Sequence, residues 1–124
     1  MSKKQKKIGK RGLNAAERYL KLMGYKVLDR SWECPAGEVD LVAKDGDVLV
    51  FVTVKTRTSI ERGLPKESTG PDARARCEKV ASYYLCGCRD LDYPVRFDEV
   101  SLLVVAEDRA LVRHYQNVFG CGCC

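Results

Sequence analysis

Two β-rich runs, Glu38–Ala43 and Val48–Lys55, flank the short segment Lys44-Asp45-Gly46-Asp47. An Asp-Gly pair between such runs is a strong hairpin signal, because the tight turn needs backbone conformations that Gly and Asp accept at low cost. Along the second run Val48, Val50, Val52 and Val54 point one way, and Leu49, Phe51, Thr53 and Lys55 the other. Both faces are largely apolar, so this strand belongs in the middle of a sheet covered on each side.

With Asp45-Gly46 at the centre of a two-residue turn, Lys44 pairs with Asp47, Val42 with Leu49, Asp40 with Phe51 and Glu38 with Thr53. Period-two alternation then gathers Glu38, Asp40, Thr53 and Lys55 on one face. Carboxylates beside a lysine at the end of a central hairpin suit phosphodiester chemistry. The acids hold a divalent cation that polarises a phosphate, and the ammonium meets developing negative charge. The same spacing also describes an ordinary polar strand end with cross-strand acid–lysine pairs.

Around the hairpin, Leu13, Ala16, Leu20 and Met23 step by three and four and mark an amphipathic helix from Gly12 to Met23, ended by Gly24. Tyr25–Trp32 reads as a strand and Cys34-Pro35-Ala36-Gly37 as a loop. Thr56–Gly70 lacks a period and reads as a long loop. Pro71 then opens a helix to about Leu85, with Ala73, Val80, Ala81, Tyr84 and Leu85 for its buried side. Arg96–Val105 and Leu111–Val118 complete the set as strands. The order is helix, three strands, helix, two strands.

A chain of 124 residues with 45% hydrophobic content supports one packed core. We divide it into a basic flexible tail (1–10), a single domain (11–118) and a Cys-rich end (119–124). No run is apolar enough for a membrane span, and a cytoplasmic location without membrane partners is expected. The net charge of +5 is concentrated in Lys3, Lys4, Lys6, Lys7, Lys10 and Arg11. Such a tail attracts polyanions, phosphate backbones above all, or simply keeps the chain soluble. Seven cysteines cannot all pair within one chain. Cys86 and Cys88, and Cys121, Cys123 and Cys124, lack the spacing of a structural zinc site, so zinc is not expected.

Gly37-Glu38-Val39-Asp40-Leu41-Val42 followed by Val50-Phe51-Val52-Thr53-Val54-Lys55-Thr56-Arg57 resembles the signature of the YraN-like family of small bacterial proteins. Gly12, Ala16, Tyr19, Leu20, Gly24-Tyr25 and Arg96-Phe97-Asp98 extend the likeness over about residues 8–105. The resemblance implies the PD-(D/E)XK superfamily: an α/β, restriction-endonuclease-like αβββαβ core with a mixed central sheet flanked by helices. It implies nucleic-acid binding or cleavage with magnesium, with Asp40 as the metal-binding acid and Lys55 as the motif lysine.

Two positions depart from that pattern. The family usually has Glu where this chain has Thr53, and Glu where it has Leu13. A neutral hydroxyl cannot supply the charge that a hard cation favours, so magnesium should be held weakly or not at all. Glu38, expected opposite Thr53, and Glu17, one helical turn after Leu13, are the candidates for a migrated acid. Lys55, Arg57, Arg74, Arg76 and Lys79 are candidate phosphate contacts. Three functions stay open: a nucleic-acid-binding protein, on DNA rather than RNA, with a degenerate nuclease site; an active Mg-dependent endonuclease using a migrated carboxylate; and a non-catalytic interaction module. The oligomeric state is open, a dimer included.

Overall fold

A computed structural model describes residues 3–57, 71–87, 94–106 and 109–118, with side chains from Lys10 onward. Its elements are α1 (Lys3–Leu22), β1 (Lys26–Cys34), β2 (Gly37–Asp45), β3 (Val48–Arg57), α2 (Pro71–Cys86), β4 (Val95–Ala106) and β5 (Arg109–Tyr115). This is the expected order, although α1 starts at Lys3 rather than Gly12. The Cys88 and 119–124 thiol positions and most of the 56–70 loop lie outside the described residues.

The five strands form one mixed sheet in the order β1-β2-β3-β4-β5. β3 and β4 run parallel, and the other neighbours are antiparallel. A parallel pair needs a crossover, and α2 lies within it. The result is an α/β fold with a restriction-endonuclease-like αβββαβ core.

β3 is central, and its alternation sorts two cores. Val50 and Val52 pack with Leu41, Ala43, Val100 and Leu102 beneath Ala16 and Leu20 of α1. Leu49 and Phe51 pack with Val39 and Val42 beneath Val80 and Ala81 of α2. Ala73 is also buried, and Tyr84 and Leu85 are partly so, as α2's pattern predicts. Met23 was expected on the buried stripe of α1 but is 57% exposed. The helix ends first: Gly24 takes φ +92°, with Gly24 N–H donating to Lys21 O (3.1 Å) and Tyr25 N–H to Leu20 O (2.9 Å). This pair of bonds is a Schellman stop, and it turns the chain toward the core at Tyr25.

The hairpin register differs from expectation by two residues. Asp45 pairs with Val48 and Val42 with Phe51, so the turn residues are Gly46-Asp47. Gly46 has φ +60° while Asp47 is not among the positive-φ residues, the pattern of a II′ turn with Gly in first place. Because the shift is even, Thr53 and Lys55 keep the predicted face.

Candidate functional site

Beyond Leu41↔Val52 the β2–β3 ladder stops. The partner series of β1 and β2 passes from Arg30↔Leu41 to Trp32↔Val39 without a Ser31–Asp40 pair. Ser31 sits at φ +48°, a left-handed conformation uncommon for a residue with a side chain. Arg30 contacts Glu17 of α1 (2.8 Å), whereas Trp32 packs edge-on against Tyr84 of α2. Similarly, Leu41 belongs to the core under α1 and Val39 to the core under α2. Both strands therefore change phase at one place. There the Asp40 carboxylate accepts the Val54 N–H at 2.7 Å, where a backbone carbonyl would normally sit.

This moves Asp40 from its expected position. Burial raises the Asp40 carboxyl above its ordinary value, with the Val54 N–H and the Lys55 ammonium acting in the opposite direction. Glu38 is raised too, by partial desolvation and by the neighbouring Asp40 and Glu33 carboxylates. The two acids are thus electrostatic neighbours.

Between α2 and the far half of β3 lies a cavity of about 400 Å³. Its walls carry Glu38, Thr53 and Lys55 from the hairpin, Arg76 and Cys77 from α2, and Phe97, Asp98 and Glu99 from β4. The structure thus brings Glu38, Thr53, Lys55 and Arg76 together. Asp40 is not among the lining residues, though it lies within electrostatic range of Lys55 and Glu38. Arg57 ends β3 outside the lining. Arg74 is exposed and paired with Glu78 at 2.9 Å, and Lys79 is exposed. Glu17 does not reach the cavity: it is bound to Lys21 (2.9 Å) and Arg30 (2.8 Å) beside α1. Leu13 packs on the α1 core. Burial raises the Cys77 thiol above its ordinary value, with Arg76 acting in the opposite direction.

Glu99 was not foreseen. It is 2% exposed, pairs with Thr53 in the parallel ladder and shares the cavity wall with it. Its only signal in sequence is an acid directly preceding the largely apolar run Val100–Val105. Asp98, next to it, is explained by structure. Arg96 grips both its oxygens (Nε–Oδ1 2.9 Å, Nη2–Oδ2 3.0 Å). His114 Nε2 lies 2.8 Å from Oδ2, and Asn117 N–H donates to Oδ1 at 3.0 Å. Burial pushes Asp98 upward, but these bonds outweigh it and hold the carboxyl below its ordinary value. Arg96 also reaches Asp45 and the Tyr25 hydroxyl, tying β4 to the hairpin and to the end of α1.

Magnesium takes oxygen ligands and is often held by one or two carboxylates, with water and substrate phosphate completing the shell. Among the described residues no group of three or more His, Cys, Asp or Glu side chains is placed to hold an ion. What the cavity walls offer is a sparse set, Glu38 and Glu99 with the Thr53 hydroxyl. Such a set suits an ion that keeps its water. No helix among the described residues is long and apolar enough to cross a membrane.

Fold and cavity together define a protein with a restriction-endonuclease-like core and a mixed-charge pocket at the open end of its central hairpin. The chain belongs to the uncharacterised protein family UPF0102, whose sequence model matches residues 14–102. It is 41% identical over 101 residues to the UPF0102 protein of Syntrophus aciditrophicus, covering 82% of this chain and 80% of the relative. It is 37% identical to that of Geobacter sulfurreducens (90% and 88% covered) and 40% to that of Beutenbergia cavernae (90% and 94%).

Proposed function

We propose that this chain is a cytoplasmic nucleic-acid-binding protein of the PD-(D/E)XK kind, acting on DNA in preference to RNA and cutting poorly or not at all. The observation that carries the reading is the convergence of Lys55 and Arg76 on a cavity whose third wall is acidic. Two cations at one concave site suit the non-bridging oxygens of a phosphate. Arg57, Arg74 and Lys79 extend the positive charge for flanking phosphates, and the lysines that open the chain add a further non-specific attraction.

Glu38 on the cavity wall would hold magnesium, with Asp40 next to it and Lys55 beside them. When bound, the ion would polarise the phosphate and ease ionisation of a water. Thr53 contributes a hydroxyl without charge at the position between β2 and β4. Asp40 accepts the Val54 N–H, and burial raises its carboxyl above the ordinary value. Lys55 orients the phosphate and offsets its charge, and Arg76 closes the opposite wall.

The test is binding and cleavage of labelled duplex, branched and single-stranded DNA and RNA, with and without Mg²⁺ or Mn²⁺, at two salt concentrations. Salt-dependent binding of DNA with little cleavage is the expected result. Absence of binding to every substrate at low salt would leave only the interaction-module reading, and chelator-sensitive cleavage would favour an active nuclease.

A further inference from the structure

We infer that the exposed face of α2 carries a stacking platform for an unpaired nucleobase, Tyr83, in line with two phosphate contacts, Arg76 and Lys79. The inference rests on the nucleic-acid reading of the cavity and names the form of ligand it takes, a strand with at least one base out of the duplex. Arg76, Lys79 and Tyr83 stand at i, i+3 and i+7 and so share one face of the helix. All three are exposed, Tyr83 at 49%. Arg76 lines the cavity, and the helical rise sets Lys79 about 4–5 Å and Tyr83 about 10 Å further along the axis. A strand whose phosphate is held by Lys55 and Arg76 can therefore follow α2, meeting a second cation and then an aromatic ring.

The residues next to these three on α2 are committed to the fold. The Tyr84 hydroxyl donates to Asp29 at 2.6 Å, and its ring packs edge-on against Trp32 and Phe51. Arg74 is paired with Glu78. Among the described residues Arg76, Lys79 and Tyr83 have no hydrogen bond, ion pair or ring contact, which leaves their charge and π surface for a ligand. Tyrosine is also a weaker helix former than lysine, glutamate or alanine, so an outward position on α2 gains nothing from it through propensity. Bases inside a duplex have both faces covered by their neighbours, and the ring can take only a base that has left the stack. Stacking of this kind tolerates any base, because each presents a π face.

The experiment is fluorescence anisotropy of the full chain with a labelled DNA single strand of about twelve nucleotides and with the same sequence as a duplex. The native protein should bind the single strand. Tyr83→Leu should weaken that binding by about tenfold or more and leave duplex affinity within about twofold. It should also keep the slope of log affinity against log salt, since stacking releases no counterions. Tyr83→Phe should bind like the native chain, because the ring and not the hydroxyl carries the contact. In the native protein, ultraviolet crosslinking of a strand containing iodouracil should label Tyr83. Unchanged single-strand affinity in a folded Tyr83→Leu protein, an equal loss on duplex, or a Tyr83→Phe protein as weak as Tyr83→Leu would overturn the inference. So would crosslinks centred elsewhere, or a native chain that binds duplex but not single strand. If Tyr83→Leu does not fold, Tyr83→Phe and the crosslink decide. Each of these failures leaves salt-dependent duplex binding, and with it the proposed function, in place. A native chain that binds neither form would overturn the proposed function and the inference with it.

Discussion

Replacing Gly12 by alanine should destabilise the protein even though alanine is the better helix former, because α1 approaches the sheet most closely there. A Cβ at residue 12 would collide with Thr56 Oγ1 and lie 3.3 Å from Thr56 Cβ and 3.4 Å from Leu102 Cδ1. The collision cannot be accommodated without movement, and threonine is stiff at χ1. Overpacking of this kind costs about 1–3 kcal/mol, while Gly→Ala within a helix returns about 0.5–1 kcal/mol. Gly12→Ala alone should therefore lose about 1–2 kcal/mol, a fall in Tm of roughly 3–8 °C for a domain of this size. Thr56→Ala removes Oγ1 and leaves only the contacts at 3.3 and 3.4 Å. In that background Gly12→Ala should be neutral or slightly stabilising, giving a coupling energy of about 1–3 kcal/mol. Urea and thermal unfolding of the four proteins measure the cycle. Equal losses in the two backgrounds, or a native-background gain, would refute the close approach of α1 to β3.

Three further outcomes are expected. Thr53→Glu should raise Mn²⁺ affinity about tenfold and lower metal-free stability by about 1 kcal/mol, since it adds a charge next to Glu99; paired titrations and melts with and without the ion test both. Arg76→Ala with Lys79→Ala should weaken DNA binding and flatten the plot of log affinity against log salt by about 1–2 units, checked by anisotropy at several salt concentrations. Asp98→Ala should cost about 3–5 kcal/mol by stranding Arg96 and His114. Because the Asp98 carboxyl is lowered from 3.8, its stabilisation is present above that pH and lost as pH falls through the folded value. The native protein should thus lose stability more steeply below about pH 4 than the variant does, as acid-range denaturation would show.

Periodicity made much of the architecture readable. The valines of β3 separate two cores because alternation is local to the strand, and the stepping of Leu13, Ala16 and Leu20 follows from helix geometry alone. The end of α1 was equally visible at Gly24. Register was less visible, since Asp45-Gly46 and Gly46-Asp47 both make acceptable turns and only the strand pairing chooses between them. Face assignments for Thr53 and Lys55 survived because an even slip preserves parity. Asp40 did not keep its expected place: the rung it would share with Ser31, nine residues away on another strand, is absent from the ladder, and no pattern within β2 announces that. Glu99 was missed for a related reason. Its importance arises from a parallel pairing across 46 residues of chain, which alternation along one strand cannot reveal.

The unmatched rung at Ser31 and Asp40 divides what the fold requires from what the site requires. On either side of it Arg30 and Leu41 face α1, and Trp32 and Val39 face α2. Remove one residue from each strand at that point, and the alternation closes into a continuous ladder with every core side chain on its present face. The acid therefore sits on an interruption that packing has no use for. Substitutions at Asp40 disturb no core side chain but give up the acceptor of the Val54 N–H, whereas a single-residue insertion or deletion in only one of the two strands would turn the rest of that strand inside out.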